Sequence, residues 1–138
     1  MKTHFDLSDH EFEMKFSNCS LDPDLFSHEA HLRLAWIHIK RYGIHIATNN
    51  IRKQLKNYTK SVGAQSKYNE TVTIAAVKAV YHFYLASRQE TFKAFINENK
   101  QLLDNFRGLL LSHYKTDIFN SEKARRQFIE PELIPFDL

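Results

Sequence analysis

Two histidines and one glutamate have the residue types and spacing of a metal site. His28 and His31 are three residues apart, which places both imidazoles on the same side of a helix. Glu70 is the carboxylate that we expect beside them from a second helix. Two neutral imidazoles and one carboxylate suit Zn(II), Fe(II) or Mn(II). The predicted metal ligands are therefore His28, His31 and Glu70, with one of these divalent ions as cofactor.

The helix that carries the histidine pair has one charged arc and one apolar arc. At about 100° per residue, the opposite arc to the charged one holds His28, His31 and His38 beside apolar residues. We predict that these three histidines face the core, where each imidazole needs a carboxylate, a backbone carbonyl, a water or a metal as partner. The arc predicted to face water holds Glu29, Arg33 and Lys40.

Glu70 begins a row of residues that is otherwise apolar along its own helix. A carboxylate in such a row is expected to be buried, and a buried carboxylate is rarely left unpaired. If the two helices begin at the same end of the bundle, Glu70 and the histidine pair can meet. The rest of the row is Ile74, Val77, Tyr81 and Leu85.

The same residues also fit a purely structural role. One of the paired histidines would cap the helix and the other would hydrogen-bond to Glu70. His38 is expected to be a core histidine with satisfied nitrogens, and Cys19 to be either buried and inert or a soft ligand near the pair. The remaining amino-terminal and scattered histidines are expected to make surface or local contacts: His4, His10, His45 and His82.

Capping residues and glycines mark the ends of the predicted helices. Gly43 and Gly63 end two of them, and prolines predict an extended tail over Glu130–Pro135. These signals predict an all-α, single-domain helical bundle of about five or more helices, covering residues 1–138. The predicted helices run from Ser8 to about Asn18, Ser27 to about Tyr42, about Ile44 to Val62, Asn69 to about Ser87, through Phe92–Phe95 and Leu102–Tyr114 with a break near Asn97–Asn99, and from Ser121 onward.

Composition excludes several classes of protein. Three Gly and three Pro in 138 residues are too few for an all-β fold with frequent turns. The apolar runs are far shorter than the roughly 18–20 residues that a membrane span needs, so we expect no membrane association. The start of the chain lacks a secretory pattern, and Cys19 is the single cysteine, which together favour a reducing, cytoplasmic setting.

Positive charge is concentrated in the middle of the chain. The net charge is only +3, yet residues 31–68 contain eight Lys and Arg and no Asp or Glu. Such a segment can steer an anionic partner, although a solvated helix face balanced by acidic neighbours explains it too. The residues expected to steer an anionic substrate are Arg52, Lys53, Lys56 and Lys60.

Three short motifs follow one another along the chain: Asn18-Cys19-Ser20-Leu21, Phe26-Ser27-His28-Glu29-Ala30-His31-Leu32 and Tyr68-Asn69-Glu70-Thr71-Val72-Thr73. They resemble the (D/N)C(T/S)L, (W/F)(T/S)HxAHL and YHETxT motifs of a family of small, functionally uncharacterised bacterial all-helical proteins. The carboxyl-terminal residues from His113 to Leu133 are similar to the same family's pattern. The resemblance covers most of the chain and brings no activity with it.

The resemblance implies that the predicted ligands belong to a larger motif set. Cys19 and Thr73 share motifs with the ligands, and Asn69 stands where the family often has histidine. That exchange implies either a weaker metal site or a capping role for Asn69 while Glu70 binds. The residues expected to support the site from around the ligands are Cys19, Asn69, Thr73, His38 and His113.

Three functions fit these observations. The first is a divalent-metal-dependent enzyme that acts on a small, anionic molecule. The second is a non-catalytic module that binds a small anion, and the third is a nucleic-acid or protein interaction domain that uses the Arg52–Lys60 face. The chain has no helix-turn-helix or RRM signature and no Gly-rich phosphate loop, so a small-molecule ligand is expected rather than nucleic acid.

Overall fold

The computed structural model describes residues 2–137, and every regular element among them is helical. Eight α-helices and three short 3-10 helices occur in these residues, with no β-strand. Within the same range, no helix combines the length and the apolar character needed to cross a membrane. The predicted all-α, single-domain fold is confirmed.

Within this domain the chain divides into two compact units, the first ending at Tyr68 and the second beginning at Asn69. The first unit contains α1 (Asp9–Ser17), α2 (His28–Tyr42) and α3 (Ile44–Ser61), with 3-10 helices at His4–Asp6, Pro23–Leu25 and Gln65–Lys67. The second unit contains α4 (Glu70–Ala86), α5 (Phe92–Glu98), α6 (Gln101–Asp104), α7 (Phe106–Leu111) and α8 (Glu122–Arg126).

The predicted capping residues begin the helices that they were expected to begin. In each case a side-chain oxygen accepts a hydrogen bond from the backbone N–H three residues later, which satisfies one of the free donors of the first turn. The helix starts were therefore predicted to within one residue at these four places. The four capping residues are Ser8, Ser27, Asn69 and Ser121.

Gly43 alone connects α2 to α3, the two longest helices of the first unit. Its backbone has φ 80° and ψ 166°, a conformation open in practice only to glycine. Helices α2 and α3 pack along each other. Both contribute buried residues to the core, among them Trp36 of α2 and Ala47 and Ile51 of α3. The predicted stop at Gly43 is confirmed.

The second unit is built on α4, whose apolar residues pack against α7, α8 and the tail. Ala75, Leu110 and Ile118 lie in its core, and Phe136 packs against them. The predicted helix over 102–114 is interrupted at Asn105, where φ is −142°, and it continues as α7. The tail after α8 contains no helix among the described residues, as predicted.

Candidate functional site

The first turn of α2 carries the histidine pair and is fixed by Ser27. The Ser27 hydroxyl accepts a hydrogen bond from the Ala30 N–H at 3.2 Å. The Ser27 carbonyl accepts another from the ring nitrogen Nδ1 of His31 at 2.8 Å. One nitrogen of the His31 ring is therefore tied to the backbone of the preceding turn.

An aromatic side chain fixes the plane of the His31 ring. Phe26 stacks on it, with 3.7 Å between the ring centroids and 24° between the planes. Phe26 in turn contacts Phe16 at 4.8 Å and Tyr58 at 5.2 Å, and both of these rings are buried. Stacking and the hydrogen bond to Ser27 together leave His31 little rotational freedom.

The histidine pair is not buried, which contradicts the prediction from the helical wheel. His28 and His31 are exposed, whereas His38 is fully buried, as predicted. Ala30 and every residue of α2 from Leu32 to Ile39 are buried, so within the first turn it is Ala30, and not the histidine pair, that faces the core. A wheel describes the direction of a side chain around the axis and not its position along it, and for this reason it placed all three histidines together.

The surroundings favour a neutral His31. Desolvation lowers the pKa of His31 below its usual value of 6.5, and the nearby His28 lowers it further against the opposing effect of the bond to Ser27. Although the residue is exposed overall, Phe26 covers one face of the ring. Because a carbonyl oxygen only accepts, the single proton of the neutral ring lies on Nδ1. Nε2 therefore carries a lone pair at neutral pH.

Glu70 is the first residue of α4 and is buried in the second unit, with 6% of its surface exposed. The predicted burial of this carboxylate is confirmed. Across residues 2–137, no group of three or more His, Cys, Asp or Glu side chains has an arrangement that could hold a metal ion. The ligand set His28, His31 and Glu70 stays a prediction from the sequence.

Asn69 and Thr73 both stabilise the start of α4. Asn69 Oδ1 accepts a hydrogen bond from the Val72 N–H at 2.9 Å, and its Nδ2 donates to the Ile118 carbonyl at 2.9 Å. The Thr73 hydroxyl donates to the Asn69 carbonyl at 2.7 Å. The capping role of Asn69 is confirmed, and a supporting role of either residue near a metal stays a prediction.

Cys19 is half-buried and occupies the turn that ends α1. Its φ of 63° lies in the left-handed region. The Ser20 N–H bonds to the Lys15 carbonyl at 2.8 Å and the Cys19 N–H to the Phe16 carbonyl at 3.1 Å, which together form a Schellman motif. Glycine is the usual residue at this position, so Cys19 is held here at a conformational cost of about 1–2 kcal/mol.

His38 lies deeper along α2 and has one hydrogen-bond partner. The Asn50 amide nitrogen lies 3.4 Å from His38 Nδ1, while Nε2 has no partner among the described residues. Burial lowers the pKa of His38, which keeps the ring neutral. The prediction of a core histidine is confirmed, but only one of its two nitrogens is satisfied.

His113 fastens the tail of the second unit. Its Nδ1 donates to the Ile134 carbonyl at 2.6 Å, and its ring stacks on Phe136 with 4.3 Å between centroids. The Leu133 N–H bonds to the His113 carbonyl at 2.9 Å. These contacts give His113 a structural role. Its predicted role in supporting the metal ligands stays a prediction.

The predicted basic residues lie on the outer side of α3. Lys53, Lys56 and Lys60 are exposed, and Arg52 is half-buried. The ammonium group of Lys56 lies 5.4 Å from the centre of the Tyr68 ring. The exposed face of α3 is therefore positively charged, as the sequence indicated.

Comparisons of this chain with family models, curated proteins and solved structures find no match. The resemblance of the three motifs to a bacterial family therefore stays a prediction, and the site is interpreted from its own geometry.

Sequence reasoning missed a buried charged cluster at the start of the chain. Arg33 was expected to face water and His4 to make surface or local contacts, but their exposed fractions are 5% and 2%. Both expectations are wrong because an amino-terminal segment covers this side of α2. One signal was present: Thr3 and Asp6 have the spacing of a capping box, and both of its hydrogen bonds form. This capping box predicts an ordered turn at His4, but it does not predict that the turn packs against α2.

Proposed function

We propose that this protein is a divalent-metal-dependent enzyme that acts on a small, anionic molecule, with His28 and His31 as nitrogen ligands. The observation that carries this proposal is the hydrogen bond from His31 Nδ1 to the Ser27 carbonyl. A cytoplasmic setting is part of the proposal and is supported by the single cysteine, Cys19.

The His31 ring makes the second hydrogen bond that metal-binding histidines usually make. Such a histidine donates its second ring N–H to a carbonyl or carboxylate, which fixes the tautomer and the direction of the other nitrogen. His31 makes this bond to Ser27 at 2.8 Å, and Phe26 fixes the ring plane. The lowered pKa of His31 supports the proposal further, because only the neutral imidazole binds a metal.

The same geometry favours a metal over direct anion binding at His31. An anion needs a hydrogen-bond donor, but the only proton on the neutral ring is already committed to Ser27. The Nε2 lone pair repels an anion and attracts a cation. A non-catalytic anion-binding module is therefore the weaker of the two functions at neutral pH.

Glu70 enters the proposal as the third ligand on the strength of the sequence. Its carboxylate would supply an oxygen and a negative charge to balance a divalent cation. A bound ion would act as a Lewis acid toward the substrate, and Lys53 and Lys60 would raise the local concentration of anions.

Metal content after purification and after incubation with Zn(II), Fe(II) or Mn(II) tests the proposal. We expect about one ion per chain in the wild type and at least about a tenfold loss of affinity in His31→Ala, since a ligand has been removed. Glu70→Gln should also weaken binding, because it removes the negative charge.

His45→Ala is the matched control, since it removes another exposed histidine from a neighbouring helix. It should bind metal like the wild type. Wild-type protein that takes up none of the three ions, or a folded His31→Ala variant with undiminished affinity, would overturn the proposal.

A further inference from the structure

Residues 3–9 form an amino-terminal strap that is fastened to α2 by a buried charged cluster. Its contacts reach Glu29 and Arg33, which are separated from the strap by 24 to 29 residues of chain. His4 and Arg33 are almost fully buried. The strap contains one short 3-10 helix and ends at the first residue of α1, and these contacts tie it to α2.

Arg33 supplies most of the hydrogen bonds. Its guanidinium donates to the His4 carbonyl at 2.6 Å, the Leu7 carbonyl at 2.8 Å and an Asp9 carboxylate oxygen at 2.9 Å. It also lies over the Phe12 ring, 4.9 Å from its centre. A guanidinium is always charged and only donates hydrogen bonds, so every group bonded to it must act as an acceptor.

His4 lies between an anion and a cation, and one tautomer serves both. Its Nε2 is 2.8 Å from Glu29 Oε1, and its Nδ1 is 3.2 Å from Arg33 Nη1. Because Arg33 must donate, Nδ1 carries a lone pair, and because the carboxylate accepts, Nε2 carries the proton. Both hydrogen bonds therefore exist together only when His4 is neutral.

We propose that the amino-terminal strap is a pH-operated switch, held closed by neutral His4 and released when His4 takes up a proton. The second proton would lie on Nδ1 and point at Arg33, which ends that hydrogen bond and brings two cations together in a buried place. Glu29 opposes this repulsion in part.

The charged groups that face His4 decide the direction of the response. Glu29 and Arg33 come from α2, and Asp9, the first residue of α1, balances the far side of Arg33. Desolvation lowers the pKa of His4, as does Arg33, and together they outweigh the opposing effect of Glu29. The open strap, in which His4 regains its usual affinity for protons, is therefore favoured by acid.

The direction in which pH shifts the opening of the strap follows from the number of protons that opening takes up. Above a pH of about 6.5, His4 is neutral whether the strap is open or closed, and opening takes up no proton. Below it, opening takes up as much as one proton, so the opening equilibrium increases by up to about tenfold per pH unit until His4 is protonated in the closed state too.

Hydrogen exchange of the Leu7 amide, which bonds to the His4 carbonyl at 3.1 Å, reports on the strap. In the full-length protein we expect its protection factor to fall several-fold, up to about tenfold, between pH about 6.5 and about 5.5. The amide of Ile51, in the core of α3, is the internal reference and should fall less. A Leu7 protection factor that does not change with pH would overturn the proposal.

His4→Gln separates titration from hydrogen bonding. The Gln amide offers an oxygen to Arg33 and an N–H to Glu29, but it takes up no proton, so Leu7 protection should lose its pH dependence. His10→Gln, at an exposed position of α1, should keep the wild-type response. An equal response in His4→Gln and the wild type would overturn the switch.

The pKa of His4 measured by NMR in the wild type keeps the proposal testable if His4→Gln does not fold. A value clearly below that of His10 supports the switch, and a value equal to or above it would refute it. Neither experiment depends on metal binding, so the switch can fail while the proposed function stands, and the reverse.

Discussion

Arg33 connects two backbone carbonyls, a carboxylate and an aromatic ring with a single planar group. Lysine at this position would keep the positive charge but could not reach the His4 carbonyl, the Leu7 carbonyl and Asp9 together, because its ammonium is a compact point charge. The shape of the guanidinium therefore matters here more than its charge.

Arg33→Lys is expected to lower the free energy of unfolding by about 2–3 kcal/mol, since hydrogen bonds to a charged donor are lost inside the protein. Urea denaturation measures this loss. Arg41→Lys is the control: Arg41 donates to Glu13 at 2.7 Å from an exposed position, so its change should stay below about 1 kcal/mol. If Arg33→Lys and Arg41→Lys lower the free energy of unfolding equally, the shape of the buried Arg33 guanidinium does not matter more than its charge.

The role of a single residue could be predicted from the sequence when its contacts are close in sequence, and not when they are distant. Ser27 and Asn69 cap helices through amides three residues away, and the sequence shows that spacing directly. Arg33 is buried by a segment 24 to 29 residues away, and no local pattern contains this information. For the same reason, the pairing of His4 with Glu29 could not be predicted.

At the scale of helices, capping residues and glycines predicted where elements begin and end. The prediction failed at Asn105, where the chain leaves helical geometry within an apolar run. It failed also for burial along α2: periodicity separates the two sides of a helix, but it does not show that His28 and His31 are exposed while Ala30 between them and Leu32–Ile39 are buried. Of the predicted site residues, His28 and His31 were therefore misplaced in the core, while Glu70 and His38 are buried as predicted.

Helix α4 offers a test of capping. Asn69→Ala should lower the free energy of unfolding by about 1–2 kcal/mol, because the Val72 N–H loses its partner. Asn69→Ser keeps a capping oxygen and removes the N–H that bonds to the Ile118 carbonyl, so it should cost less. Thermal or urea unfolding compares the two. A Ser variant as unstable as the Ala variant would show that the bond to Ile118, and not the cap, is what matters.

For the whole molecule, the division at Tyr68 and Asn69 had no signal in the sequence. The boundary lies in an ordinary connection between helices, in which the 3-10 helix Gln65–Lys67 and Tyr68 are followed by Asn69, the residue that caps α4. Charge does distinguish the units. Residues 1–68 contain ten Lys and Arg against seven Asp and Glu, while residues 69–138 contain nine of each. The net charge of +3 therefore belongs to the first unit.

Acid should loosen the first unit before the second. Within residues 2–137, the histidines whose pKa is lowered are His4, His31 and His38, and all lie in the first unit. The unfolded chain binds protons at these residues below a pH of about 6.5 while the folded chain does not, so stability falls as the pH falls below that value.

Hydrogen exchange with mass spectrometry, carried out at pH about 7 and about 5.5, measures this difference. The protection factors of peptides from α2 and α3 should fall more than those of peptides from α4. An equal fall in all three helices would contradict the assignment of acid sensitivity to the first unit.

The one-residue connection at Gly43 also has a consequence for the order of folding. Because a single residue joins α2 to α3, their contacts close with almost no loop, and contacts of short sequence separation form fastest. The strap must instead bring residues 3–9 to partners at a sequence separation of 24 to 29 residues. We therefore expect the α2–α3 hairpin to assemble first and to serve as the surface on which the amino terminus later closes.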